Sequence, residues 1–96
     1  MTYEQLLAAL NPCREFPTLA ERSKFQACNR NSTLVIITSS GSEYPIKRNI
    51  YNSVRERYEN LNPDQRKISQ NYTDTAWDQC PNRIQAPYLP AIWEYI

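Results

Sequence analysis

Histidine is absent from this chain of 96 residues, and glycine occurs once, at position 41. The first absence removes the commonest general base and the commonest metal ligand. A Ser–His–Asp triad, a Cys–His dyad and every histidine-bearing zinc site are thereby excluded within the chain. The second absence removes phosphate-cradling loops, which need several glycines. No run approaches the roughly 20 apolar residues of a membrane span, and mean hydropathy is −0.72. An excess of one charge sign is also missing: 11 basic against 10 acidic side chains leave +1. The whole-chain field therefore gives little long-range pull toward nucleic acid or an acidic membrane. The opening "MTYEQLLAAL" has no basic n-region and no small-residue cleavage site, so it does not read as a secretory signal. Cysteines stand only at Cys13, Cys28 and Cys80. The number is odd and no pair has C-x-x-C spacing, so no disulfide framework is expected and a reduced cytoplasm is the simpler setting. Cys28 falls in an expected strand, where a buried free thiol acts as a small apolar residue.

What is present suffices for a small core: 41% of residues are hydrophobic and 11% aromatic. Thr2 and Gln5 have the form of a capping box, and Tyr3, Leu6, Leu7 and Leu10 follow at the spacing of one helix face. Asn11-Pro12 ends that helix, because the residue before proline is pushed out of the helical region. Thr18 to Ala20 and Lys24 to Cys28 read as short strands across the polar "ERS" turn. "NRNS" (Asn29 to Ser32) is turn chemistry, since asparagine tolerates left-handed backbone. "TLVIIT" (Thr33 to Thr38) is β-branched and is the strongest strand signal. "SSGS" (Ser39 to Ser42) turns the chain again, with Gly41 at the position that needs positive φ. Glu43 to Ile46 returns, and Pro45 assigns it to a sheet edge because proline donates no ladder bond.

Arg48 to Leu61 is the clearest helix. Ile50, Val54, Tyr58 and Leu61 share one face, and Arg48, Asn52, Arg55 and Glu59 share the opposite one. Asn62 is placed to cap a following turn that opens with Pro63. Asp74 is placed to cap a short helix holding Trp77, and "APYLPAIWEYI" (Ala86 to Ile96) supplies a C-terminal helix. The predicted architecture is α+β in one domain spanning residues 1–96: an N-terminal helix, a three- to four-stranded antiparallel meander, the main amphipathic helix, then short C-terminal helices.

No catalytic constellation emerges, and a non-enzymatic domain without metal or cofactor is expected. Pro63-Asp64 with Glu43 and Lys47 has the wrong order and spacing for a metal-dependent nuclease. Asp74 and Asp78 share a face on a helix, as an acid-biased N-terminal turn would. The sequons at Asn31 and Asn71 carry no weight without an export signal. The basic residues are unevenly spread. Lys47, Arg48, Arg55, Arg57, Arg66 and Lys67 gather in the middle of the chain. Arginine and asparagine pair with phosphates and base edges, so Lys47, Arg48, Asn52, Arg55 and Arg57 are candidate nucleic-acid contacts. Ser40 at the glycine turn would add a wing contact. The competing reading of the same face is a solvated helix surface with Arg55 and Glu59 as an i, i+4 pair. The aromatics Tyr72, Trp77, Tyr88, Trp93 and Tyr95 have base-stacking chemistry, although such residues in a small domain usually form core.

The succession "ITSSGSEYPIKR", "IYNSVRERYENL" and "APYLPAIW", from about Phe25 to Trp93, resembles a small accessory domain of bacterial restriction-type proteins. That domain often precedes an HNH nuclease module and sometimes stands alone. The matching pieces are Ser39 to Gly41, Ile46 to Arg48, Val54 to Tyr58 and Pro87 to Ala91. No nuclease module is present here, so the resemblance implies an accessory role in DNA-related or mobile-element proteins and carries over no cutting activity. The leading expectation is nucleic-acid binding or targeting, with DNA as partner. The alternative is a protein-interaction module or homodimeric adaptor, using the Glu43 to Ile46 edge or the aromatic C-terminus.

Overall fold

The computed structural model describes residues 1–10, 12–73 and 86–96. The chain runs α1 (Tyr3–Leu10), β1 (Cys13–Pro17), β2 (Lys24–Arg30), β3 (Thr33–Ile37), β4 (Glu43–Ile46), α2 (Arg48–Asn60), a 3₁₀ turn (Gln65–Lys67), α3 (Gln70–Thr73) and α4 (Tyr88–Tyr95). The strands form one antiparallel sheet in the order β1-β2-β3-β4. The α+β arrangement is the one the residue pattern predicts. The Asp74 cap, Trp77 and Cys80 lie outside the described residues.

The capping box at α1 forms in both directions. Thr2 N–H donates to Gln5 Oε1 at 2.8 Å, and Gln5 N–H donates to Thr2 Oγ1 at 3.1 Å. Tyr3, Leu6, Leu7 and Leu10 are the buried face. Tyr3 also pins the helix to the sheet. Its hydroxyl donates to Ile46 O at 2.6 Å and accepts from Leu34 N–H at 2.9 Å.

The first strand differs from the expectation. Thr18 to Ala20 is part of a turn, closed by Thr18 N–H to Ser23 O at 3.0 Å and Glu21 N–H to Thr18 O at 2.8 Å. Glu21 sits there at φ 57, left-handed backbone that no strand contains. The strand is Cys13–Pro17, because Phe16 opposite Phe25 gives an inward apolar pair, their rings 5.9 Å apart. The β2–β3 connection is a two-residue turn with Asn31 at φ 53 and Ser32 at φ 64, and Ser32 N–H is held by Asn29 Oδ1 at 3.1 Å. The β3–β4 connection places Gly41 at φ 89, as the glycine predicts.

Register sorts the strands into two faces. Phe16, Phe25, Ala27, Leu34, Ile36 and Ile46 point inward, and all are buried. α1 packs on this face at β2 and α4 at β1, while α2 packs against α4 and α1. Leu89 and Ile92 of α4 and Ile50, Tyr51 and Val54 of α2 complete the same core.

The outer face carries the main correction. Cys13 and Cys28 lie directly opposite in the β1–β2 register and are joined as a disulfide. The expectation of unpaired thiols, drawn from an odd cysteine count without C-x-x-C spacing, fails because strand register pairs residues that are distant in sequence. Once β1 begins at Cys13, the two side chains share one face at neighbouring positions, which a separation of 15 residues conceals. Val35 and Pro45 continue that row. Val35 is only 6% exposed although it faces outward. Arg30 on β2 and Glu43 on β4 form an ion pair. By register that pair crosses the sheet diagonally over Val35, so two long side chains cover what no described helix covers.

Candidate nucleic-acid interface

α2 is the element that carries most of the predicted contacts, and its placement follows from its apolar face. Burying Ile50, Tyr51 and Val54 turns Arg48, Asn52, Arg55 and Glu59 outward, as the spacing predicts. Lys47 is exposed at the helix start, in extended backbone with no side-chain cap.

The arginines of this face have partners within the chain. Arg48 forms an ion pair with Glu4 of α1 and lies over the Tyr3 ring, 5.7 Å from its centroid. Arg55 Nε donates to Glu59 Oε1 at 2.8 Å, the i, i+4 pair expected from the sequence. Both are surface pairs, a class worth about 0–1 kcal/mol. A phosphate can therefore compete for either guanidinium at small cost. Arg57 differs. It points toward the C-terminal segment, and its Nε donates to Asn71 O at 3.0 Å. Arg66 has a similar structural role. It donates to Tyr58 O at 2.9 Å at the end of α2 and stacks on the Tyr58 ring at 4.7 Å. A cation placed on the last carbonyls of a helix complements their partial negative charge.

Ser40 is not part of the α2 surface. β4 puts roughly 13 Å of extended chain between the β3–β4 turn and the helix start. The turn also satisfies itself: the Thr38 and Ser40 hydroxyls are 2.9 Å apart, and Ser42 N–H donates to Thr38 Oγ1 at 3.2 Å. The structure thus brings together Lys47, Arg48, Asn52 and Arg55, and separates Arg57 and Ser40 from them.

Sequence reasoning missed an aromatic row alongside α2. Tyr3 and Tyr51 meet edge-on with centroids 5.4 Å apart, Tyr51 and Trp93 at 5.4 Å, and Trp93 and Tyr58 at 4.9 Å. Hydrogen bonds fix it. Trp93 Nε1–H donates to the Tyr51 hydroxyl at 3.2 Å, and that hydroxyl donates to Met1 O at 2.7 Å. Tyr58 donates to Glu94 Oε1 at 3.0 Å. Burial holds the Tyr51 and Tyr58 phenols above their ordinary pKa, and for Tyr58 the bond to Glu94 adds to this. The i, i+7 spacing of Tyr51 and Tyr58 was available in the sequence, but the contribution of Trp93 from α4 was not.

Among the described residues no three metal-ligating side chains converge, and no helix is long and apolar enough to cross a membrane. No family model, curated protein or solved structure matches the chain.

Proposed function

We propose that the chain is a non-enzymatic nucleic-acid-binding domain that uses the outward face of α2. The observation that supports this reading is the alignment of Arg48, Asn52 and Arg55 on one solvent side, beside the exposed Lys47. Three cations and an amide along about two turns of helix match the spacing at which side chains meet phosphates and base edges. Arg57 and Ser40 leave the proposed contact set for the reasons given above. The accessory role in DNA-related proteins implied by the resemblance belongs to the same proposal. Nucleic acid is met in the cytoplasm, and there Cys13 and Cys28 would be thiols; the proposed location therefore requires the fold to tolerate reduction.

The test is fluorescence anisotropy with labelled duplex and single-stranded DNA at low and moderate salt, under oxidising and reducing conditions. Binding that weakens steeply with salt and is lost in Arg48→Glu/Arg55→Glu supports the reading. No binding at low salt sinks it.

A protein-interaction role is the second reading. The outer sheet face supports it: Cys13 and Pro45 are exposed there beside charged side chains, around the buried Cys28 and Val35, and no described helix lies upon it. The β4 edge is a poorer candidate, since Pro45 withholds a ladder donor.

A further inference from the structure

A groove of about 230 Å³ opens between α2 and α4, lined by Met1, Arg55, Tyr58, Glu59, Trp93 and Ile96. It lies below the 300–1,000 Å³ of drug-sized sites, so a single flat ring system suits it better than an extended ligand. One side is aromatic, from Trp93 and Tyr58, both only partly buried. The rim is the Arg55–Glu59 pair. Arg55 uses only Nε in that pair and Glu59 only Oε1. The terminal guanidinium nitrogens and Glu59 Oε2 take no further hydrogen bond among the described residues. The rim therefore presents donors beside an acceptor, next to an aromatic wall.

We infer that this groove receives one unpaired nucleobase of a single strand. Every base offers a face for stacking and adjacent hydrogen-bonding groups of opposite kind along its edge, which Arg55 donors and the Glu59 acceptor complement. The continuation of the strand has a path. Asn52, Arg48 and Lys47 lead away from the groove along the same side of α2. A base within a duplex cannot enter, because its edge is paired and its faces are stacked. The inference rests on the nucleic-acid reading of α2 and narrows it to single strands.

Trp93 is the natural reporter, since Trp77 is the only other tryptophan. A Trp77→Phe protein would be titrated with pentanucleotides having thymine at four positions and each of the four bases at the centre, and with a long hairpin duplex that stays paired at the assay temperature. Trp93 fluorescence and strand anisotropy are read together. The expected result is saturable quenching by single strands, with at least fivefold weaker duplex binding. Trp93→Leu should weaken binding about tenfold, the order of one lost base stack. Glu59→Gln sits on the exposed rim, keeps the fold, and should reorder the four central bases. Equal affinity for duplex and single strand, still abolished by Arg48→Glu/Arg55→Glu, overturns the groove and leaves the α2 reading standing. Absence of all binding at low salt overturns both. A change in Trp93 emission with protein concentration alone assigns the groove to a second copy of the chain and overturns the inference.

Discussion

The two faces of the sheet are built from the same short antiparallel ladders, yet they are stabilised by different physics. The inner face buries Phe16, Phe25, Leu34, Ile36 and Ile46 under α1 and α4. Its stability comes from apolar area removed from water and from close packing. The outer face has no described helix over it and relies on one covalent bond, Cys13–Cys28, and two ion pairs, Arg30–Glu43 and Lys24–Glu15. Alternation along a strand sets which residue goes where, but it does not say how each side is closed. A small domain with thin burial gains from a cross-link on the side that water reaches.

Four variants sharpen that contrast. Ile36→Ala on the inner face should be the most damaging, at about 3 kcal/mol and within the 2–5 kcal/mol range for a buried isoleucine, read by urea unfolding. Joining Cys13 to Cys28 closes a short loop in the unfolded chain, and its removal in Cys13→Ser/Cys28→Ser should cost about 3 kcal/mol or somewhat less. The same loss should appear in the unaltered chain on adding dithiothreitol; an unchanged midpoint would show that the pair contributes nothing to the outer face.

Tyr72→Phe comes next, at about 1 kcal/mol, from the lost bond to Arg66 O at 2.7 Å. Tyr72 also carries a pH signature. Burial raises its phenol pKa above the ordinary 10.0, so the folded state holds the proton more tightly than the unfolded chain. Stability from this group is complete below about pH 10 and declines as pH climbs toward the raised folded value. Unfolding midpoints should fall above about pH 10 in the parent protein and fall less in Tyr72→Phe. Smallest is Arg30→Gln, at about 0–1 kcal/mol, since the pair with Glu43 is half exposed. Its clearer readout is faster hydrogen exchange at Val35, which would lose its cover.

The same contrast shows what a reader of the residues alone could obtain. The capping box Thr2/Gln5, the glycine turn at Gly41, the edge strand marked by Pro45 and the outward row Arg48, Asn52, Arg55, Glu59 are all local. Each depends on neighbours within a few positions, and each is present in the structure. The first strand was less legible. "CREFP" carries only one strong apolar residue, and what makes it a strand is its partner β2. The Cys13–Cys28 contact stayed hidden as well, because an odd count and the lack of C-x-x-C spacing say nothing about which residues the strand register sets opposite. The candidate site divides in the same way. Its helix face was legible, while the capture of Arg57 by Asn71 and the distance of Ser40 from α2 were not.

The sequence by itself determined the α+β order, the buried face of α1, the strands from Lys24 onward and the side of α2 that meets water, because turn chemistry and periods of 2 and 3.6 act over short distances. The tertiary structure alone decided which cysteines meet, which arginines are already occupied, and that Trp93 of α4 stands beside Tyr58 of α2 to frame a groove. Those outcomes depend on register and helix packing between residues far apart in the chain, and a one-residue shift of a strand exchanges its two faces.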